Sequence, residues 1–285
     1  MQKQTKKPKI LMIQTGGTIG QEKGLDGILR PSEKNYLDKV PEIYNLADIT
    51  VQRPANIDST NMETSHRAML AEIIYDKHKE YDGFVIIHGT DTMVETAAAL
   101  NYMIQGLGKP IVLTGSQISI FEPENDAKDN LYNAIKTATM DLGEVVIAFG
   151  DKVVRGNRAI KESADDFNAF SSPRTAPLGE IIESEIVLTK DRIKRYDGKP
   201  TLFTEFSEGV EFYQQTSGSK TKILSKYVED EDIEGIILGG YGTGNIQDRL
   251  VPEIKKSTIF GKPVLVSTTC LKGSTEMATY EVGSA

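Results

Sequence analysis

Lys9-Ile10-Leu11-Met12-Ile13-Gln14-Thr15-Gly16-Gly17-Thr18 is the stretch of this sequence that decides the fold. Its first half is a short apolar run, which is typical of a strand buried on both faces of a sheet. Its second half pairs two glycines between threonines, which is typical of a tight turn. A buried strand that runs directly into such a turn favours an α/β architecture with a parallel sheet.

The same alternation of short apolar runs and longer helical patterns continues along the chain. Further strands are predicted at Ile49–Arg53, Gly83–His88, Pro110–Thr114 and Glu144–Phe149. Helices are predicted at Glu63–His78, Thr92–Leu107 and Asp126–Leu142, where apolar residues recur with helical period. The pattern predicts an α/β fold in which a larger N-terminal domain is a doubly wound sheet with helices on both faces.

The alternation stops after Ala169, and a polar region containing glycine and proline follows. It restarts with predicted strands at Glu234–Gly239 and Pro263–Thr268 and a helix near Leu250–Lys256 between them. We therefore predict an N-terminal domain over residues 1–171, a connecting region over 172–232 and a smaller C-terminal α/β domain over 233–285.

Composition and charge narrow the class of protein. The chain has 285 residues, of which 39% are hydrophobic and 26% charged, as in an ordinary globular protein. A net charge of −8 argues against nucleic-acid binding, which needs clustered lysine and arginine. No apolar stretch approaches the length of a membrane span. Cys270 is the single cysteine, so an intrachain disulfide is excluded and the cytoplasm is the expected compartment.

Hydroxyl-bearing loops follow four of the predicted strands. They are Thr15–Thr18, Asp58-Ser59-Thr60, His88–Thr92 and Thr114-Gly115-Ser116-Gln117. Any one of them alone is explained as a turn or a helix cap. Thr92 followed by Glu95 predicts a capping box, which would put Thr90 and Asp91 just ahead of a helix. Because ligands of open parallel sheets bind at the carboxyl ends of the strands, the four loops together predict a polar pocket for a small substrate.

The remaining motifs restrict the chemistry of that pocket. Neither Gly16-Gly17 nor Gly240-Tyr241-Gly242-Thr243-Gly244 has the spacing of a nucleotide-binding loop. A hydroxyl nucleophile needs a base, and histidine is the usual one. His66 and His78 lie on a surface-type helix, and His88 ends a buried strand, which favours a structural role. A lysine and an aspartate remain, since a lysine desolvated in a crevice can accept a proton.

Two segments resemble a known family. Ile13-Gln14-Thr15-Gly16-Gly17-Thr18-Ile19-Gly20 and Gly83-Phe84-Val85-Ile86-Ile87-His88-Gly89-Thr90-Asp91-Thr92-Met93 are similar to the two signature segments of bacterial-type L-asparaginases. Shorter segments resemble the cytoplasmic type I branch: Thr114–Ile118, Arg155–Lys161 and Asp166–Phe170. The likeness extends from about Lys9 to Ala285.

The resemblance implies an L-asparaginase that hydrolyses L-asparagine to L-aspartate and ammonia through a threonyl acyl-enzyme. It implies that the N-terminal domain is catalytic, that Thr18 is the nucleophile, and that Thr90, Asp91 and Lys161 form a hydrogen-bonded trio assisting proton transfer. The substrate-binding residues that it implies are Gly17, Ser59, Thr60, Gly89 and Ser116, with Asn245 from the neighbouring subunit. It further implies a homodimer or homotetramer and no metal or organic cofactor.

The sequence departs from the family in two places. The tyrosine usually found on a mobile lid after the first motif is absent from Gly20–Pro31; Ile28 or Leu29 takes its place, and the first tyrosine is Tyr36. The chain also ends soon after Cys270, so we expect the small domain to be incomplete.

Cys270 has two interpretations. A lone cysteine after a strand favours a small buried side chain. Some type I enzymes bind an effector asparagine near a cysteine in this context, which makes Cys270, Thr268 and Lys272 a possible effector site.

Two alternative functions remain. The amidase subunit of a glutamyl-tRNA amidotransferase shares both signature segments but normally carries an extra N-terminal domain. A catalytically impaired amino-acid-binding or regulatory protein is motivated by the missing lid tyrosine and the short C-terminus.

Overall fold

The apolar run that opens the chain forms the first strand, β1, at Lys9–Gln14. This is seen in a computed structural model that describes residues 6–32, 34–189, 193 and 198–276. The chain separates into two units, Met1–Thr204 and Glu205–Ala285. None of the helices in the described ranges is long and apolar enough to cross a membrane.

The first unit contains a large sheet, several short strand pairs and four helices within its described residues. The strands after β1 are β2 Gln21–Lys23, β3 Leu29–Pro31, β4 Asp48–Gln52, β5 Gly83–Ile87, β6 Ile104–Gln105, β7 Ile111–Thr114, β8 Val145–Phe149, β9 Lys152–Arg155, β10 Ile160–Lys161, β11 Phe170–Ser171, β12 Gly179–Ile182, β13 Glu185–Leu188 and β14 Thr201–Leu202. The helices are α1 Ile43–Leu46, α2 Thr64–Lys77, α3 Met93–Met103 and α4 Ala127–Ala138.

The large sheet has the strand order β13-β12-β9-β8-β7-β5-β1-β4. Strands β4, β1, β5, β7 and β8 pair in parallel, while β9, β12 and β13 add an antiparallel edge. β1 lies between β4 and β5, so the strand order reverses beside it. The doubly wound sheet predicted from the sequence is confirmed, and the reversal lies between β1 and β5.

Alternate residues of β1 enter two separate cores, one on each face of the sheet. Ile10 and Met12 pack in the core that contains Leu131 of α4. Leu11 and Ile13 pack on the other face, in the core that contains Leu100 of α3. Burial on both faces explains why the strands have continuous apolar runs rather than alternating ones.

Two predicted helices are shorter than the sequence pattern indicates. The helix predicted to reach Leu142 ends at Ala138, the last residue of α4. The apolar period predicts a helix to Leu107, but α3 ends at Met103. The next two residues form β6 and pair with β14, so that Leu202 lies opposite Ile104. This pairing with a segment about a hundred residues away along the chain ends the helix, and no local signal announces it.

The second unit is built from three parallel strands and two helices within its described residues. They are β15 Val210–Gln214, α5 Thr221–Glu229, β16 Gly235–Gly240, α6 Val251–Ile259 and β17 Val264–Thr268. The strand order is β15-β16-β17, and Tyr213, Leu224, Leu238 and Leu250 share its core. A smaller α/β unit at the C-terminal end is therefore confirmed.

The predicted connecting region, residues 172–232, contributes to both units. β12 and β13 join the large sheet, whereas β15 and α5 belong to the second unit. No helix is predicted from the sequence in this region, whereas α5 buries Leu224 and Val228, with Tyr227 packed against the same core. Residues 277–285 of the predicted small domain lie outside the described residues.

Candidate active site

The loops after β1 and β5 touch each other where the strand order reverses. Gly17 has a φ of +96°, and a Cβ placed on it would lie 2.7 Å from the backbone nitrogen of Gly89. A Cβ placed on Gly89 would lie 2.6 Å from Oγ of Ser59, in the loop after β4. The absence of side chains at Gly17 and Gly89 therefore lets the three loops close on one another, as expected for a ligand crevice of this fold.

Lys161 is the centre of a polar cluster on this crevice. Its Nζ donates to Oγ1 of Thr90 at 3.0 Å and to Oδ1 of Asp91 at 2.7 Å. The Lys161 side chain is 17% exposed, whereas that of Asp91 is 62% exposed. The arrangement presents a carboxylate to solvent and holds a hydroxyl against a partly desolvated ammonium.

A short hairpin carries Lys161 to this position. β10 and β11 pair antiparallel, with Lys161 opposite Phe170. Phe170 is buried and meets the ring of Phe149, at the end of β8, edge-on with ring centroids 5.0 Å apart. The aromatic contact fixes the hairpin to the large sheet, so the lysine reaches Thr90 from 71 residues along the chain.

The Ser59 loop is held by hydrogen bonds at both of its ends. The carboxylate of Asp58 accepts the backbone N–H of Thr60 at 2.9 Å, and this bond, with that from the Thr60 hydroxyl, lowers the pKa of Asp58. Thr92 donates its hydroxyl to the carbonyl of Ser59 at 2.6 Å. Ser59 is buried, whereas the next residue, Thr60, is exposed.

The predicted capping box of Thr92 and Glu95 is wrong. Thr92 is the residue before α3, but its hydroxyl makes no cap, because it is bonded to Ser59. Glu95 instead accepts from the guanidinium of Arg67 at 2.7 Å. Thr90 and Asp91 nevertheless lie directly ahead of the helix, as predicted, near the positive end of its dipole.

His88 is a structural residue, as the sequence indicates. It is fully buried; Nδ1 lies 2.7 Å from the carbonyl of Gly89 and Nε2 lies 2.9 Å from Oγ1 of Thr96. A carbonyl only accepts, so Nδ1 carries the proton and Nε2 accepts from Thr96. Burial lowers the pKa of His88 from 6.5 to about 4, which keeps the ring neutral and the Gly89 carbonyl in place.

Asp126, the residue before helix α4, and Asn130, within α4, hold the loop after β7 by hydrogen bonds. Asp126 accepts the backbone N–H groups of Gln117 and Ile118, both at 2.9 Å, and Asn130 donates to the carbonyl of Gly115 at 3.1 Å. Ser116 lies between these anchors, and its buried hydroxyl has no hydrogen-bond partner in the described part of the chain. A buried hydroxyl of this kind is a candidate donor or acceptor for a ligand.

Thr18 follows Gly17 directly, and none of the hydrogen bonds among the described residues links its side chain to Thr90 or Lys161. It is partly buried, and its hydroxyl has no hydrogen-bond partner within the residues described. Thr18 lines a cavity of about 450 Å³ together with Lys23, Leu29, Gln117 and Glu122. Of the two residues expected in place of the lid tyrosine, Leu29 lines this cavity, whereas Ile28 is exposed.

The lid segment after Thr18 is a β-hairpin. β2 and β3 pair antiparallel, and Ser119 donates its hydroxyl to the carbonyl of Gln21. Lys23 lies 3.7 Å from the carboxylate of Glu122. Both contacts attach the hairpin to the loop after β7, and Lys23 and Leu29 of the hairpin line the cavity beside Thr18.

Tyr36 does not take over the position of the missing lid tyrosine. Its ring lies against Gly20 and is almost fully buried, and that burial raises its pKa above the usual value. It lines a different cavity, of about 860 Å³, together with Gly16, Gly17 and Arg53. Thr18, Thr90 and Lys161 are not among the lining residues of that cavity.

The second unit holds the other predicted site residues. Asn245 pairs with Tyr241 in a tight turn after β16, and its buried side-chain oxygen has no partner in the described ranges. Thr268 donates its hydroxyl to the carbonyl of Gly242 and accepts the N–H of Cys270. Cys270 and Lys272 are exposed, so the expectation of a buried cysteine is wrong.

Comparison with protein families gives a match over each unit. Residues 9–194 match the family model described as "Asparaginase, N-terminal", and residues 209–285 match "Glutaminase/Asparaginase C-terminal domain". The boundary between the two units, at Thr204 and Glu205, lies in the interval between the two matches.

Individual relatives fall into two groups. L-asparaginase 1 of Escherichia coli K12 is 32% identical over 98% of this chain and 85% of its own length. A glutamyl-tRNA(Gln) amidotransferase subunit of Methanosphaera stadtmanae is also 32% identical, over 98% of this chain but 66% of its own length.

Solved structures have the same fold. The thermostable L-asparaginase from Thermococcus kodakarensis superposes with a TM-score of 0.87 at 30% identity, covering 96% of this chain and 84% of its own. The probable cytoplasmic L-asparaginase from Campylobacter jejuni superposes with a TM-score of 0.82 at 30% identity, covering 95% and 86%.

Proposed function

This chain belongs to the asparaginase family and is an amidohydrolase, and we propose that it hydrolyses L-asparagine to L-aspartate and ammonia with Thr18 as its nucleophile. The observation that carries the proposal is the contact of Lys161 with both Thr90 and Asp91 on the crevice formed by Gly17 and Gly89. No metal or organic cofactor enters the proposal.

Substrate recognition follows from the charges of the crevice. The exposed carboxylate of Asp91 suits the α-ammonium of an amino acid, while the Ser59 hydroxyl suits its α-carboxylate. Thr60 lies in the same loop, and it would have to exchange its bonds to Asp58 for bonds to the substrate. Ser116, whose buried hydroxyl has no partner within the described residues, suits the side-chain amide or a substrate-bound water. Recognition of both α-groups favours a free amino acid over an amide within a peptide.

The chemistry is written as two acyl transfers. Thr18 Oγ1 attacks the amide carbon of asparagine, the resulting oxyanion collapses, and ammonia leaves after the amide nitrogen gains a proton. A water then attacks the aspartyl ester of Thr18, and aspartate is released with the threonine hydroxyl restored. Thr90 and Lys161 form the hydrogen-bonded pair through which protons are moved during these steps.

Ammonia release tests the proposed activity directly. The wild-type protein is expected to release ammonia from L-asparagine, and Thr18→Ala is expected to abolish that release. Thr258→Ala is the matched control, because Thr258 is an exposed threonine on α6 whose hydroxyl only bonds to the carbonyl of Ile254. Trapping with hydroxylamine should give aspartyl hydroxamate with the wild type alone. Equal activity in Thr18→Ala would disprove the assigned nucleophile.

The amidotransferase relatives support a second candidate, an amidase subunit of a glutamyl-tRNA amidotransferase. In that case ammonia release from free asparagine alone would be negligible and would require the charged tRNA and a further subunit. An impaired amino-acid-binding protein would instead bind asparagine in calorimetry and release no ammonia under either condition. The same assay therefore separates the three functions.

The proposal extends to assembly and compartment. We expect a cytoplasmic homodimer or homotetramer, consistent with the Campylobacter relative's description as probable cytoplasmic, in which Asn245 contributes to the neighbouring subunit's site. Mixing Thr18→Ala with Asn245→Ala tests this, because a hybrid dimer has one site with both residues intact. Partial recovery of activity is expected from two inactive variants. No recovery in hybrids verified by native mass spectrometry would contradict the shared site.

A further inference from the structure

The side chain of Gln117 contacts both Thr90 and the loop of the hairpin that carries Lys161. Its side-chain nitrogen donates to the carbonyl of Ala164 at 3.2 Å and to the carbonyl of Asp166 at 3.1 Å. Its side-chain oxygen lies 3.4 Å from Oγ1 of Thr90. Because Nε2 can only donate and two carbonyls receive its hydrogens, the orientation of the amide is determined, with Oε1 directed at Thr90.

The backbone of Gln117 is fixed independently of its side chain. Its N–H donates to Oδ2 of Asp126, whose other oxygen accepts from Ile118. Asp126 is buried and precedes α4. The backbone position of Gln117 therefore depends on the loop after β7 and on the residue before α4, whereas its side-chain amide is also held by the loop of the hairpin that carries Lys161.

The carbonyls that Gln117 binds belong to the loop of that hairpin. Ala164 and Asp166 lie between β10, which contains Lys161, and β11. Glu162 closes the base of this loop by donating its N–H to the carbonyl of Ala169 at 2.9 Å. One side chain thus connects the lysine-bearing loop to the hydroxyl that the lysine binds.

The bond to Gln117 also gives the Thr90 hydroxyl a direction. An amide oxygen accepts only, so the Thr90 hydroxyl donates its hydrogen to Gln117 and accepts from Lys161 Nζ. The cavity beside Thr18 is lined by Gln117 as well. The Thr90 hydroxyl therefore has one defined orientation at the start of turnover.

We propose that Gln117 is a positioning residue for the reaction: it holds the Thr90 hydroxyl and the Lys161 hairpin in the relative arrangement that proton transfer requires. This rests on the proposed function, since it assigns Thr90 and Lys161 their roles. Gln117 acts through Thr90 and Lys161 and not on the bond that is cleaved.

Two substitutions separate the parts of this role. Gln117→Leu removes both the acceptor and the donors, and it is expected to lower kcat about 10- to 100-fold with KM changed less than about 3-fold. Gln117→Glu keeps an acceptor for Thr90 but loses both hydrogens that the amide donates to Ala164 and Asp166. Its kcat should fall by less than that of Gln117→Leu, because the acceptor for Thr90 remains while the link to the hairpin is lost.

Gln105→Leu is the matched control, because Gln105 is an exposed glutamine whose amide donates only to the carbonyl of Tyr102. It should leave kcat and KM unchanged. A merely structural role for Gln117 would lower thermal stability in both Gln117 variants while leaving kcat and KM of the folded enzyme unchanged, and that result would overturn the proposal.

A crystal structure of Gln117→Leu provides a readout that does not need activity. The distance between Lys161 Nζ and Thr90 Oγ1, 3.0 Å in the wild type, should exceed 3.5 Å in the variant. An unchanged distance would overturn the proposal even if asparaginase activity were absent. Conversely, wild-type kcat in Gln117→Leu alongside inactive Thr18→Ala would overturn the role of Gln117 and leave the proposed function intact.

Discussion

Gly17 and Gly89 meet backbone to backbone, so closely that a Cβ on Gly17 would lie 2.7 Å from the nitrogen of Gly89. The contact joins the loop after β1 to the loop after β5, at the point where the strand order of the sheet reverses. Thr18 follows the first glycine and Thr90 follows the second. The distance between the loop of Thr18 and the loop of Thr90 is therefore set by a backbone contact that leaves no room for a methyl group.

Gly17→Ala should reduce activity much more than stability. The methyl group would push the two loops apart, and a displacement of about 1 Å in a catalytic group costs on the order of 100-fold in rate. Gly261→Ala is the matched control: Gly261 also has a positive φ, +75°, but no atom lies within 4 Å of its added Cβ. Gly261→Ala should lose ~1 kcal/mol of stability through backbone strain, and Gly17→Ala should lose more, because its φ and ψ lie in a region nearly restricted to glycine and its methyl group meets Gly89. Equal kcat/KM in the two variants would contradict the importance of the loop contact.

Lys161→Met should lower kcat by about 100-fold or more, the range expected on removal of a group that moves protons. The substitution leaves Asp91 without its ammonium and Thr90 without its donor. Lys152→Met serves as the control, because Lys152 likewise contacts an aspartate, Asp151, at 2.9 Å. Steady-state kinetics on asparagine should give a kcat within about twofold of wild type for that control.

We expect the free energy of unfolding to fall on acidification because of His88. Its pKa is about 4 in the folded protein and 6.5 without the fold, so between these values the unfolded state binds more protons. The free energy of unfolding should therefore fall as pH decreases from about 7, with roughly 2 kcal/mol lost by pH 5 from this residue, since one pKa unit is about 1.4 kcal/mol.

His88→Asn tests that assignment, because asparagine keeps an N–H that can donate to Gly89 but does not titrate. Urea unfolding at pH 7 and at pH 5 should show a smaller loss for the variant than for the wild type. Identical pH dependence in the two proteins would show that protonation of His88 does not contribute.

Leu100→Ala should destabilise the first unit by about 2–5 kcal/mol, because Leu100 is fully buried in the core beneath β1 and β5 and its truncation leaves a cavity. Leu25→Ala removes the same atoms from a fully exposed leucine and should change stability by less than about 0.5 kcal/mol. Urea denaturation of both variants measures the difference. Comparable midpoints would contradict the described core.

Local signals are sufficient to predict the strands that carry the site. The predicted bounds of β1, β4, β5 and β7 lie within one residue or so of their observed ends, because continuous apolar runs bounded by glycine and polar residues are unusual outside buried strands. Since parallel strands bring their carboxyl ends to one edge, the meeting of the Gly17 and Gly89 loops follows from topology alone.

Contacts between distant segments cannot be predicted in the same way. The hydroxyl of Thr92 bonds to Ser59 rather than capping α3, and α3 ends early because Ile104 pairs with Leu202. In each case a partner far away in the sequence overrides the local rule. Gln117 lies in a segment that resembles the family, but its link to Thr90 depends on the fold of the loop after β10.

The sequence by itself determined the doubly wound sheet and the family to which the chain belongs, and it predicted the edge of the sheet at which the candidate site lies. These follow from periodicity and from residues adjacent along the chain. Only the tertiary structure decided the distances that join Lys161 to Thr90 and Asp91, a trio that the resemblance implied. Only the tertiary structure decided that Leu29 rather than Ile28 lines the cavity of Thr18, and that the Gln117 amide contacts both Thr90 and the loop after β10. Hydrogen bonds need atoms within about 3 Å, and between distant segments only the folded chain specifies such distances.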